Sequence, residues 1–243
     1  PPFLFVLLLF LIQACGTDKS DPVQPDFLKP GDKVALIAPA YPVPDSLVKV
    51  CCERLAECGL EPVVSKNALE IYPDYPGIGG SRYAGTAAQR TEDFKWALEN
   101  KDIKAIICLT GGYGSIHVLP DTDPALLRDN PKWLVGCSDI TSLLMAEVGC
   151  GVQSLHGAMG YAIAEKGFEA EDTGGVLEIL FGKMPEYDLP ADTLNIAGKA
   201  EGILVGGNMT NIVPLLGTDF DGFEGHDCIL FIEETGESMH CIE

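Results

Sequence analysis

Ser138 is the residue of this chain best placed to do chemistry. It lies in the run Gly136-Cys137-Ser138-Asp139-Ile140, after an apolar stretch that reads as a strand (Trp133, Leu134, Val135) and before one that reads as a helix (Ile140, Leu143, Leu144, Val148). A sharp strand-to-helix turn lifts a serine Oγ clear of a sheet and aims the next backbone N–H, here that of Asp139, into the same space. The serine needs such help, because at neutral pH its hydroxyl is a weak nucleophile that relies on an adjacent base and on donors for the developing oxyanion. The run departs from the common Gly-x-Ser-x-Gly pattern, since Asp139 and Ile140 follow the serine. The same residues also suit a helix N-cap, with Ser138 or Asp139 as the capping side chain.

A second cluster, Thr110-Gly111-Gly112-Tyr113-Gly114, follows directly on the apolar run Ala105 to Leu109. Glycines there let a backbone N–H face a ligand without Cβ interference. Alone, the cluster reads as a tight strand-to-helix connection; beside Ser138 it gains meaning as the second half of an oxyanion hole. Of the four histidines, His117, His226 and His240 read as surface or packing residues.

These residues are held by short apolar runs that alternate with amphipathic segments. Lys33 to Ala38, Pro62 to Val64, Ala105 to Leu109, Leu134 to Gly136 and Val152 to Leu155 read as strands. Helices are expected over Asp45 to Cys58, with Leu47, Val48, Cys51 and Leu55 on one face, after Thr86 with Arg90, Phe94, Ala97 and Leu98, and over Gly174 to Lys183. A long loop rich in Tyr, Pro and Gly runs through Gly80. The fold class is α/β: a mostly parallel sheet covered by helices on both faces, with a second, β-rich α/β domain after it. Ligands of such sheets bind beyond the carboxyl ends of the strands, where Gly111 and Ser138 both fall. The segment 184–199, with its prolines and acidic residues, reads as a linker between a nucleophile domain over 27–183 and the start of the second domain over 200–243. There an apolar helix, Ile212 to Leu216, precedes a strand, Cys228 to Ile232, that delivers Glu233.

Pro1 to Ile12 is almost entirely apolar yet too short to span a bilayer as a stable helix, and Gln13-Ala14-Cys15-Gly16 follows. That order resembles a bacterial lipoprotein signal peptide over 1–15, with Cys15 as the lipidated residue and 16–26 as a polar tether. A cleaved signal peptide with an incidental cysteine is the alternative. Both readings imply export, and both expect more sequence before Pro1. The cysteines at 51, 52, 58, 108, 137, 150, 228 and 241 form no Cys-x-x-Cys pair with a histidine partner, which argues against a zinc site. Cys51, Cys52 and Cys58 are expected to pack on one helix, and Cys108 and Cys137 to be core residues at strand ends. The 243 residues, 47% hydrophobic, suffice for a sizeable core. A formal charge of −20 argues against nucleic-acid binding.

The chain resembles the LD-carboxypeptidase family, serine peptidases that include the microcin C immunity peptidases. The resemblance rests on ordered blocks from Leu28 to Glu234: Leu28-Lys29-Pro30-Gly31-Asp32, Ala38-Pro39-Ala40, Arg82-Tyr83-Ala84-Gly85-Thr86 with Arg90, Gly111-Gly112-Tyr113-Gly114 and Asn130-Pro131-Lys132. It continues through Gly136 to Thr141, His156-Gly157, Gly202-x-x-x-Gly206-Gly207-Asn208, Gly217-Thr218 and Ile232-Glu233-Glu234. The resemblance implies a Ser-His-Glu triad with Ser138 as nucleophile and Glu233 as the acid that orients the imidazole. It implies oxyanion donors at the N–H groups of Gly112 and Asp139, and a substrate wall that includes Gly111, Tyr113 and His156. The triad histidine has no match, because in the family it lies several dozen residues beyond the glutamate, so the resemblance expects sequence beyond Glu243. Thr110 stands where the family often has Arg, and Ala158 where it often has Pro, which bears on recognition of the substrate carboxylate.

The implied reaction releases terminal D-alanine from a peptidoglycan tetrapeptide without metal or organic cofactor, on a membrane-anchored lipoprotein of the cell envelope. The expected partners are that tetrapeptide and the membrane, not nucleic acid, with a homodimer left open. Two alternatives remain: a microcin-immunity-type peptidase acting on adenylate analogues, and an envelope lipoprotein that binds muropeptides without cutting them.

Overall fold

The computed structural model describes residues 21–72, 83–184, 192–225 and 227–242. The apolar leader with Cys15, the first part of the tether, residues 73–82, residues 185–191 of the expected linker and His226 lie outside the described residues. Five strands, β1 (Lys33–Ile37), β2 (Glu61–Val64), β3 (Ile103–Cys108), β4 (Trp133–Gly136) and β5 (Leu155–His156), form a wholly parallel sheet in the order β2-β1-β3-β4-β5. Around it run α1 (Asp45–Glu57), α2 (Ala87–Glu99), α3 (Pro124–Arg128), α4 (Thr141–Gly149), α5 (Gly160–Lys166) and α6 (Glu171–Leu180).

The sequence of β1 shows why both faces are covered. Val34 and Leu36 point to one core, with Val48, Cys51 and Leu55 of α1, Ile163 of α5 and Leu180 of α6. Ala35 and Ile37 point to the other, with Phe94 and Leu98 of α2 and Leu143 and Leu144 of α4. A strand buried on both sides must be apolar throughout, as these are. Helix α2 is defined at both ends. Thr86 and Gln89 form a reciprocal capping box at its start. At its finish the buried Lys132 ammonium donates to the carbonyls of Ala97, Leu98 and Asn100 at 2.6, 2.6 and 2.7 Å, a cation at the negative end of the helix dipole.

Beyond this sheet, β6 (Ile203–Asn208) and β7 (Cys228–Glu233) pair in parallel, in register from Ile203↔Cys228 to Asn208↔Glu233. Between them lie α7 (Met209–Ile212) and a 3-10 turn, Val213–Leu215; α8 (Met239–Ile242) follows. This two-stranded unit docks on α4. The Asn208 N–H donates to Thr141 Oγ1 at 3.1 Å, and the Ser142 hydroxyl to Asn211 Oδ1 at 3.1 Å. Gly207 permits the approach, since a Cβ there would lie 2.6 Å from Thr141 Oγ1.

Several boundaries differ from those read in the sequence. The expected strand Val152 to Leu155 is reduced to β5 because the Val152 N–H turns back to the Glu147 carbonyl, and Val152 makes only an isolated bridge to Val23. The expected helix Ile212 to Leu216 is instead the end of α7 and a 3-10 turn, since Pro214 has no N–H to continue an α-helix. Helix α6 begins three residues before Gly174 and ends at Leu180. Cys51 is buried, but Cys52 is half-buried and Cys58 caps α1 from outside the helix, also half-buried. Cys108 is buried, whereas Cys137 is half-buried just past the end of β4.

Candidate active site

The strand order reverses direction between β1 and β3, and the loops after β1, β3, β4 and β5 all leave the same carboxyl edge of the sheet. After β4 the chain turns sharply. Cys137 is extended, Ser138 has φ +57°, and Ser138–Ile140 form a 3-10 turn that leads straight into α4. Among the described residues Ser138 is the only non-glycine with a positive φ. Gly136 explains the sharpness, because the Ile140 side chain folds back over it where a Cβ would collide. In place of an ordinary N-cap, Ser138 occupies a left-handed conformation that L-residues adopt at a cost.

The glycine loop packs directly on this turn. A Cβ on Gly111 would lie 3.4 Å from the Ser138 Cβ and 3.5 Å from the Asp139 N. Gly112 has φ +114°, and the space a side chain would fill is taken by the Tyr41 ring, whose backbone N–H donates to the Gly111 carbonyl at 3.2 Å. Gly114 has φ +124° and opens a 3-10 helix, Ser115–Asp121. Ser115, fully buried, donates its N–H to Asp139 Oδ2 at 2.9 Å and its hydroxyl to the Asp139 carbonyl at 2.5 Å. The Asp139 carboxyl is itself buried. Burial pushes it above the usual carboxylate range, while hydrogen bonds from Ser115 and Gly114 and the charge of His117 pull it back.

Tyr113 leaves the loop towards solvent, its ring 6.3 Å from Tyr83 and 5.4 Å from His117. Arg90 lies beneath, with its guanidinium 4.9 Å from the Tyr83 ring centre and its Nη1 donating to the Gly85 carbonyl at 2.7 Å. His117 therefore packs, as the sequence suggested, but against the aromatic side chains of this loop; burial, then the Arg90 charge, lowers its pKa. Tyr41, Ser115 and His117 were not read from the sequence as parts of a site. Tyr41 lies at the carboxyl edge just beyond β1, and that placement was the signal available.

Glu233 closes β7 opposite Asn208. Its Oε1 is buried with no hydrogen-bond partner among the described residues, and its charge reaches the Cys137 thiol, which burial and then this carboxylate push up. The neighbouring Glu234 differs. Its oxygens accept from Asn208 Nδ2 at 2.9 Å, from the Thr210 hydroxyl at 2.7 Å and from the Thr210 N–H at 3.0 Å, and with the Thr210 hydroxyl contributing most its pKa falls to about 2. Of the two carboxylates, Glu234 ties the end of β7 to the junction of β6 and α7, and Glu233 keeps an acceptor oxygen. The 138–140 turn packs against β6, so Glu233 and Ser138 belong to one edge of the molecule.

His156 ends β5 in register with Gly136, its ring 5.1 Å from Phe231 and edge-on to it. It lines a groove of about 1310 Å³ between β5 and β6, with Leu155, Val205, Gly206 and Phe231. Burial lowers the pKa of His156. Among the described residues no three His, Cys, Asp or Glu side chains converge to hold a metal ion. Nor is any described helix long and apolar enough to cross a membrane.

Comparison with known proteins agrees with this architecture. The sequence profile of the LD-carboxypeptidase N-terminal domain matches residues 34–157. The murein tetrapeptide carboxypeptidase of Pseudomonas aeruginosa is 31% identical over 222 residues, covering 87% of this chain and 69% of that protein. A probable murein peptide carboxypeptidase of Bacillus subtilis is 30% identical, covering 90% and 67%. The crystal structure of an MccF-like protein from Bacillus anthracis superposes with a TM-score of 0.72 at 29% identity, over 87% of this chain and 70% of that one. The parallel-sheet fold thus has both sequence and structural counterparts, and the chain belongs to the LD-carboxypeptidase family.

Proposed function

We propose that the protein is a serine peptidase that releases the terminal D-alanine of peptidoglycan tetrapeptides, with Ser138 as nucleophile. The observation that carries this reading is the Ser138 backbone at φ +57°, held against the Gly111–Gly112 loop at the carboxyl edge of a parallel sheet. Strained backbone of this kind persists only where its surroundings over-determine it, and it concentrates at active sites. The murein tetrapeptide carboxypeptidase of P. aeruginosa supplies the substrate class.

In the proposed reaction Ser138 Oγ bonds to the carbonyl carbon of the amide between a diamino acid and D-alanine. The oxyanion is received by the N–H groups of Asp139 and Gly112. The serine proton passes to an imidazole and on to the D-alanine nitrogen as the C–N bond breaks; water then cleaves the acyl-enzyme. By resemblance that imidazole lies downstream of Glu233, whose buried Oε1 is an acceptor suited to its N–H. Gly111, Tyr113 and His156 would wall the substrate, with Thr110 where an arginine is common in the family.

The test is to give the full-length gene product three compounds: the L,D-tetrapeptide, the same peptide ending in L-alanine, and an aminoacyl sulfamoyl adenylate. Cleavage of the first alone supports the carboxypeptidase. Cleavage of the adenylate analogue alone moves the protein to the immunity-type peptidases, a reading favoured by its likeness to the MccF-like structure. Export on a lipid anchor at Cys15 is part of the proposal, supported by the apolar run before Ala14-Cys15-Gly16. Cys15→Ala should release the protein from the membrane fraction, and unchanged fractionation would contradict the anchor.

A further inference from the structure

We infer that Ser115 is a positioning residue, and that its paired hydrogen bonds to Asp139 set the spacing of the two oxyanion donors. The inference rests on the proposed role of Ser138. The two donors come from separate segments: Gly112 from the loop after β3, and Asp139 from the turn after β4. The β3–β4 ladder ends at Ile107↔Val135, before either donor, and does not join the two segments there. Ser115 does, because it is joined to Asp139 twice, through its N–H to the carboxylate Oδ2 at 2.9 Å and through its hydroxyl to the backbone carbonyl at 2.5 Å. The two bonds hold the backbone and the side chain of one residue, so the loop can neither slide along the turn nor rotate about it.

The surroundings make this clamp rigid. Ser115 is fully buried and Asp139 is 2% exposed. The backbone N–H of Gly114, just before Ser115, lies on the Asp139 side and favours the ionised carboxylate. The Gly114 carbonyl faces the other way and accepts from Arg90 Nη2 at 3.5 Å, so the buried guanidinium braces the loop from behind. On its front the loop is backed by the Tyr41 ring against Gly112. The hydroxyl supplies one of the two bonds and the backbone N–H the other, so alanine at this position would keep the second and lose the first. Donors held in advance where oxyanion charge develops stabilise a transition state without reorganisation, and displacement by about 1 Å can cost on the order of 10²-fold.

The experiment uses the full-length gene product and the Ser115→Ala and Asp139→Asn variants, each checked by thermal melting. Two quantities are read: D-alanine release from the tetrapeptide, and the rate at which an alkyl fluorophosphonate modifies Ser138. In the second reaction the serine Oγ–P bond forms, fluoride leaves and the serine proton goes to the base. It probes the oxyanion donors whatever the natural substrate. Ser115→Ala should lower kcat and the phosphonylation rate together, by roughly 10- to 100-fold, with little change in KM. Asp139→Asn keeps an acceptor for the Ser115 N–H and should lose less. Wild-type rates of phosphonylation in Ser115→Ala would overturn the inference, as would a larger loss in Asp139→Asn, which would place the effect in the charge. Absence of D-alanine release from the wild type, with phosphonylation still slowed by Ser115→Ala, would overturn the substrate reading and leave the clamp standing.

Discussion

At Ser138, the proposed nucleophile, the chain accepts a local backbone cost. A left-handed backbone costs an L-residue about 1–2 kcal/mol, and glycine would relieve it while giving back roughly 0.5–1 kcal/mol in unfolded-state freedom. Ser138→Gly should therefore abolish activity while melting at or above the wild-type temperature, and Ser138→Ala should abolish activity without that gain. A melting temperature for Ser138→Gly clearly below that of Ser138→Ala would show that the turn is not strained. The location of Ser138 was legible because a strand-like run meets a helix-like run at one glycine-led pentapeptide. Its conformation was not, since φ depends on Ile140 closing over Gly136. The Ser115–Asp139 clamp was also hidden, because its partners are 24 residues apart and meet only when β3 and β4 pair.

At the scale of elements, apolar runs identified β1, β3 and β4, and Thr86 identified the start of α2, because each is a local signal that burial then reinforces. The short helices α3 and α5 were missed: five and seven residues hold too few turns to show a period. Helix α4 carries a feature that only packing reveals, the fully buried Glu147, whose Oε2 has no partner among the described residues. Burial raises its pKa well above the usual carboxylate range, opposed by Lys132, and burial, ahead of the neighbouring Glu147, likewise raises the Cys108 thiol. With the folded pKa above the unfolded one, the native state holds a proton that the unfolded chain has already released. The contribution of Glu147 is then most favourable at low pH and is lost as pH rises from the ordinary carboxylate range through its raised pKa. Glu147→Gln should gain stability relative to wild type as pH increases from 5 to 8, by at most about 1.4 kcal/mol per pH unit while pH lies between the unfolded and folded pKa. Melting curves across that range check it, and a pH-independent difference would contradict it.

Across the whole molecule, the proposed site depends on the two-stranded unit lying against α4, since β7 carries Glu233 and the five-stranded sheet carries Ser138. The contact is close at Gly207, where φ is +134° and Thr141 occupies the space of a Cβ. Gly207→Val should push β6 away from α4 and reduce activity on the order of 10²-fold, while the five-stranded sheet still folds. Activity assays beside limited proteolysis would show it, and wild-type turnover would mean that the docking is not needed. The parallel fold was readable from the alternation of runs along the chain, but this docking was not, because it rests on hydrogen bonds between Thr141 and Asn208 and between Ser142 and Asn211. The central claim is that a serine on this edge cuts an L,D-amide with help from the β7 carboxylate. Its most direct test is D-alanine release from a muropeptide tetrapeptide by the full-length protein, followed by mass spectrometry beside Ser138→Ala and Glu233→Gln. Release that vanishes in the first variant and falls steeply in the second is the predicted result; release that survives Ser138→Ala would contradict the account.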